Sequence, residues 1–315
     1  MKKVLLSIIA LLALSSTVCA QYDAQLSQYF MAMGYYNPGY AGTSGNLNTF
    51  ALYRLQWAGW KGAPKSLFVT ADMPLSIKKT NVGIGAVVFT ESIGFFRNTH
   101  LAAQLAYKQK LFGGTLSIGL QPGLANMSFN IDSLYLGESS YHVKEDEAIP
   151  KANASGMGFD MNAGIYYTHK NFYVGIGLMH LMEPEIELEE NIYTFIGRSY
   201  NLTGGYNIQL RNPLYELQPS VFLKTDMQSF QADITARMVY NKMFNGGLSW
   251  RVNESMVVLL GATFGNIQVG YAYDFPINGA LLKATSGSHE VMLRYQFKLN
   301  KTKSGEYRHK SVRIL

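Results

Sequence analysis

From residue 47 onward the hydrophobic pattern of this 315-residue chain alternates residue by residue, and that period of two limits its possible folds more than any other feature. Val291, Leu293, Tyr295 and Phe297 alternate with Glu290, Met292, Arg294 and Gln296, so a strand here has one greasy and one polar face. Just before it, Ile267, Val269, Tyr271, Tyr273 and Phe275 alternate with Gln268, Gly270, Ala272 and Asp274. No apolar run approaches the roughly 18 residues of a membrane helix beyond the N-terminal region, so strands dominate.

The same reading gives 14 segments: 47 to 57, 64 to 74, 82 to 91, 99 to 110, 115 to 128, 156 to 168 and 171 to 181, then 198 to 209, 214 to 225, 230 to 240, 243 to 252, 256 to 262, 266 to 275 and 287 to 298. An even number near the roughly 9 to 11 residues of a tilted membrane strand predicts an all-β fold, a transmembrane antiparallel β-barrel. Its connections should alternate in length. Brief links such as Phe112-Gly113-Gly114, His169-Lys170 and Arg211-Asn212-Pro213 follow even-numbered segments, while the long links, about 129 to 155 and 182 to 197, follow odd ones. Charge sorts the same way. The long links carry Glu145-Asp146-Glu147 and Glu183, Glu185, Glu187, Glu189 and Glu190, whereas the short turns carry Lys78, Lys79, Lys110, Lys170, Arg211 and Lys242. A soluble β-sandwich does not account for aromatic residues on the apolar face near strand ends, where Tyr53, Trp57, Tyr107, Tyr167, Phe172 and Trp250 read as an interfacial girdle.

The chain opens with Lys2 and Lys3, an apolar run from Val4 to Leu14, and Val18-Cys19-Ala20 before Gln21, the pattern of a secretory signal peptide over 1 to 20. Acylation at Cys19 is the competing reading, but Ser16-Thr17-Val18 lacks the leucine expected before a lipoprotein cysteine. Cleavage removes the one cysteine, and with it any disulfide, thiol nucleophile or cysteine metal site. Residues 21 to 46, aromatic and without alternation, form a periplasmic segment or a plug for the lumen; 47 to 298 form the barrel; 299 to 315 form a basic periplasmic tail. Only 15% of residues are charged, against roughly 25% in soluble domains, which again puts something other than water around the fold. The net charge of +6 belongs to the two ends, because Lys2, Lys3 and six Lys/Arg in the last 18 residues account for it, so no nucleic-acid surface is expected.

On this register Arg54, Lys108, Lys224, Arg237, Arg251 and Arg294 face inward with Asp72, Asp160, Glu216, Asp233, Asp274 and Glu290. Six of each sign should neutralise one another, unlike the single-sign ring of a selective pore. Motifs for phosphate binding, zinc hydrolysis or a nucleophile elbow are missing from the sequence, and no catalytic residue, cofactor or metal is assigned. Adjacent His289 and Glu290 point to opposite faces of a strand and cannot share a metal. The evenly spaced glutamates from Glu183 to Glu190 lack the pattern of a calcium loop. A barrel hydrolase would need Ser199 and His180 side by side with an acidic partner, which the sequence does not reveal. A porin or solute channel is the alternative use of the same barrel.

Several strings fall in a telling order: Gln28-Tyr29, Asn37-Pro38-Gly39-Tyr40-Ala41-Gly42, Tyr53-Arg54-Leu55-Gln56-Trp57, Gly62-Ala63-Pro64-Lys65, Tyr271-Ala272-Tyr273-Asp274 and Gly287-Ser288-His289-Glu290. Together they resemble the PorP/SprF family of outer-membrane proteins, with Gly39 where that family more often has Ala. The resemblance implies a non-enzymatic component of the type IX protein secretion and gliding machinery. It also implies partners: a periplasmic ring lipoprotein with its partner subunit, a peptidoglycan-binding periplasmic protein, and outer-membrane lipid. The family-motif residues are Asn37, Pro38, Tyr40, Gly42, Arg54, Gln56, Trp57, Pro64, Lys65, Asp274, His289 and Glu290. For the partner-facing tail the candidates are Lys298, Lys301, Lys303, Arg308, Lys310 and Arg313, cations suited to an acidic periplasmic surface.

Overall fold

The computed structural model describes residues 23–77, 80–130, 152–277 and 279–299. The expected signal peptide over 1 to 20, Lys78 and Lys79, the Glu145-Asp146-Glu147 cluster and the tail cations Lys301, Lys303, Arg308, Lys310 and Arg313 lie outside the described residues. No helix among the described residues is long and apolar enough to cross a membrane.

Alternation becomes strands β1 Leu47–Leu55, β2 Lys65–Ile77, β3 Thr80–Ile93, β4 Phe96–Leu111, β5 Gly114–Phe129, β6 Ala154–Thr168 and β7 Phe172–Met179. A hairpin follows, β8 Glu185–Glu189 with β9 Ile192–Phe195, and then β10 Ser199–Tyr206 and the two-residue β11 Ile208–Gln209. The last six are β12 Tyr215–Thr225, β13 Phe230–Tyr240, β14 Phe244–Arg251, β15 Ser255–Phe264, β16 Ile267–Pro276 and β17 Ser288–Phe297. Each stave pairs antiparallel with its neighbours, β1 pairs with β17, and β10 pairs with both β7 and β12, so the sheet closes on itself. The result is a closed barrel of 14 staves, one for each alternating segment of the sequence. Closure leaves no sheet edge, the condition for strands in lipid.

Outward positions carry the apolar surface: Leu101, Leu105, Ile176, Leu248, Leu260 and Val291 are all exposed. Tyr53, Tyr107 and Trp250 are exposed on staves as a girdle requires, but Trp57 is a correction. It sits in the loop after β1 with a left-handed φ of 49°, its N–H on the Ser288 hydroxyl. The link 182 to 197 also differs from a plain loop, because β8 and β9 pair across it. Ile186 and Ile196 bury against Ala125 and Met127 on the inner face of β5, leaving the alternating glutamates of β8 exposed. The period of two is present there, in a run too short to stand out.

Residues 23–46 run inside the barrel. They begin near His180 and Ser199, at the end with the long links, and finish where Leu47 starts β1 at the short-turn end. A one-turn helix, Met33–Tyr36, leads into a 3-10 turn at Pro38–Tyr40. Tyr29 and Tyr36 pack on Phe222, and Tyr35 on Phe68 and Phe89, so aromatic residues of the segment meet inward aromatics of β2, β3 and β12. The backbone comes so close to the wall that only glycine fits beneath it. A Cβ on Gly164 would strike the Asn37 side chain, and one on Gly119 the backbone at Pro38 and Gly39. Gly164→Val should therefore unseat the segment at a cost of about 1–3 kcal/mol, while Gly197→Ala, which meets nothing, should be silent. Protease sensitivity of residues 23–46 in the folded barrel measures this, and equal protection in the two variants would contradict the close packing.

Candidate functional site: a buried charged anchor

The strongest concentration of chemistry lies where the inner segment meets β1, β13, β14, β16 and β17. Register places Arg54 opposite Glu290 and Asp233 opposite Arg251, all on the inner face. Arg54 donates to Asp274 at 2.8 Å and to Glu290 at 3.3 Å, and Arg251 donates to Asp233 at 2.8 Å and to Asp274 at 3.3 Å. All five side chains are buried. Ser27 completes the set, since its hydroxyl donates to Asp274 and accepts from both arginines. The backbone N–H groups of Ser27 and Gln28 donate to the Glu290 carboxylate at 2.9 and 2.7 Å. Wall charges and segment backbone thus pair with each other, as buried ions require, and Arg54 Nε is the one guanidinium nitrogen of the set without a partner.

A second anchor holds the start of the segment. His180, just past β7, places Nε2 2.8 Å from Asp23 and Nδ1 2.6 Å from Asp160 of β6. Ser199 Oγ donates to the other Asp23 oxygen, and Lys224 Nζ to the Asp23 carbonyl at 3.0 Å. The Asp23 carboxylate thus meets an imidazole and a hydroxyl, with an ammonium on its own carbonyl. Asp23 stands between Ser199 and His180, so the hydroxyl rests on a carboxylate and no serine–histidine nucleophile pair forms. The acidic partners missing from the sequence reading are Asp23 and Asp160, whose chain positions gave no signal of this meeting.

The family-motif residues fall into distinct groups. Asn37 is fully buried, its Oδ1 accepting from Gly39 N and its Nδ2 donating to the carbonyls of Ile165 and Ile176 on β6 and β7. Pro38 opens the 3-10 turn, the Tyr40 hydroxyl accepts from Arg294 at 2.8 Å, and Gly42, at φ 68°, donates from its N to Asp72 at 2.7 Å. With Arg54, Asp274 and Glu290, these residues all engage the inner segment. Gln56, Trp57 and Pro64 shape the turn after β1, where Gln56 N donates to the Pro64 carbonyl, and Lys65 is exposed at the start of β2. His289 faces away from Glu290, against Tyr271 and Tyr273. Lys298 is exposed at the end of the last stave.

The remaining inward cations do not all pair with carboxylates. Lys108 donates to Thr43 and Ser117, Arg237 donates to Gln218 and lies 3.7 Å over the Phe30 ring, and Arg294 takes Tyr40. Glu91, buried and bonded to Ser66, is an inward acid that the register reading passed over.

A closed antiparallel barrel with an apolar outer belt and a charged, largely paired interior is the build of a membrane β-barrel. The chain belongs to the PorP/SprF family: residues 18–295 match the type IX secretion system membrane protein PorP/SprF. No curated protein matches it in sequence. Among solved structures it is similar to the Ralstonia pickettii toluene transporter TbuX, at 11% identity and a TM-score of 0.48, covering 84% of this chain and 92% of that one. It is also similar to the P. putida toluene transporter TodX, at 10% identity and a TM-score of 0.45 over 84% and 92% of the two chains. A Pseudomonas aeruginosa FadL homologue is similar at 10% identity and a TM-score of 0.41, with 80% and 89% covered.

Removing one member of the arginine anchor strands its partners. Arg54→Met leaves Glu290 without a cation and should cost about 3–5 kcal/mol, against less than about 1 kcal/mol for breaking the exposed Arg198–Glu183 pair with Arg198→Met. The temperature at which the compact barrel loses its heat-modifiable gel mobility reads both. Equal shifts would mean that the buried network does not hold the fold.

Proposed function

We propose that this chain is a non-enzymatic outer-membrane component of the type IX protein secretion and gliding machinery that anchors periplasmic ring components to the membrane. Family membership supports the general setting. The observation that carries the finer reading is the interior. Residues 23–46 occupy the middle of the barrel on paired charges, glycines and stacked aromatics, which favours a scaffold with a closed lumen over a conduit. In this reading 1 to 20 leave as the signal peptide, 21 to 46 fill the lumen, 47 to 298 span the membrane and 299 to 315 hang in the periplasm.

Orientation follows from the connections. With short turns in the periplasm, exposed Lys110, Lys170, Arg211 and Lys242 form a basic rim there, and the exposed glutamates of β8 face outward from the cell. Lys298 and the tail cations Lys301, Lys303, Arg308, Lys310 and Arg313 extend the basic side toward the ring lipoprotein, its partner subunit and the peptidoglycan-binding protein. Opposite charge would steer this docking and make it salt-sensitive.

Deleting residues 299–315 should lower co-purification of the ring lipoprotein several-fold from native membranes while leaving barrel insertion intact. Undiminished recovery of the ring would rule out the tail as the coupling element. Purified protein in planar bilayers provides the other arm, because a stable, large ohmic conductance would return the chain to the porin reading.

A further inference from the structure

We infer that His100, Asp160 and His180 form a buried binding site for a borderline divalent cation of the zinc type. Each offers one ligand atom, and those atoms lie within 4.8 Å of one another. They come from β4, β6 and the residue after β7, so no sequence spacing announces them. Beside them is a cavity of about 20 Å³ that Gln121 and Asn162 also line. That volume holds one water or one ion. Two imidazoles and a carboxylate select zinc-like ions over calcium or magnesium, which take oxygen ligands.

The outer surroundings fit the same use. One nitrogen of His180 faces Asp160 and the other faces Asp23. An ion replacing the proton between His180 and Asp160 leaves the Asp23 contact intact, the carboxylate–histidine–metal arrangement that orients metal-bound imidazoles. His180 is also held in a left-handed backbone conformation, φ 55°, with its N–H on Asn162 at 2.8 Å. Backbone strain of this kind persists where the surroundings impose it, often at binding sites. Zinc at about 2.0–2.1 Å from each ligand sets tetrahedral donors roughly 3.3 Å apart, so the 2.6 Å His180–Asp160 contact would open as the ion enters between them while His100 closes from at most 4.8 Å, and the adjoining cavity leaves room for a water as fourth ligand. The ion would tie three staves to one another and, through Asp23, to the inner segment.

The test uses the full-length barrel, stripped with chelator and equilibrated with buffered Zn²⁺. One zinc per chain is expected, with at least tenfold weaker binding in His100→Ala. Asp23→Asn should weaken it about 10–100-fold although it removes no ligand. His169→Ala, at an exposed histidine, should bind as the parent does. Cobalt in the unaltered protein gives a reading that no variant's folding can obscure, with intense tetrahedral absorption expected. Absence of stoichiometric zinc, full affinity in a folded His100→Ala barrel, or a weak octahedral cobalt spectrum would each overturn the site.

Discussion

A charge that points into a barrel lumen has left bulk water, and the fold depends on where its counter-charge comes from. Here the decisive contact is Arg54 with Asp274 and Glu290. The wall alone does not complete it. Glu290 also takes two backbone N–H groups of the inner segment, and the Ser27 hydroxyl sits among Asp274, Arg54 and Arg251. Buried ion pairs repay desolvation only when the remaining lone pairs and protons are used, and residues 27 and 28 take up those of Glu290 and Asp274, while Arg54 Nε has no partner. Stave register and segment position are therefore one problem: a one-residue slip of β1 or β17 would send Arg54 or Glu290 into lipid.

The rest of the segment is fixed by shape. Inward glycines let its backbone approach β5 and β6, and Asn37 spends its amide on two wall carbonyls that the close approach has brought into reach. Tyr29, Tyr35 and Tyr36 fill the space between with rings, whose hydroxyls find partners at Ser220 and Ala24 for the first and last. Stiff aromatic contacts and satisfied polar atoms together define one seating.

Much of this was legible in the chain. A period of two survives wherever one face meets lipid and the other does not, so all 14 staves could be placed and Arg54, Asp274 and Glu290 read as inward. Residues 21 to 46 stood out as a candidate filling for the lumen, but their contacts were not legible for a physical reason: the segment is surrounded by protein, so no periodicity marks them, and Asn37, Tyr40 and Gly42 showed only within a family-like string. The anchor at Asp23 was hidden for another. Asp160, His180 and Ser199 lie on or beside the successive staves β6, β7 and β10, but Asp23 is far from all three in sequence and meets them only because the inner segment starts against that part of the wall. The hairpin β8–β9 failed on length, since five and four residues of alternation are too few to separate from a loop.

The two anchors hold the segment along one part of its length, and this bears on what kind of motion the protein tolerates. Withdrawing residues 23–28 as a unit would leave Glu290 without its backbone donors and His180 without one of its two carboxylates, in a space that water would then have to enter. Several groups would lose partners in a single step, whereas moving a rim turn or an exposed glutamate of β8 disturbs nothing buried. The exposed charge lies on the rims, the glutamates of β8 at one end and Lys110, Lys170, Arg211 and Lys242 at the other, where no buried group depends on it.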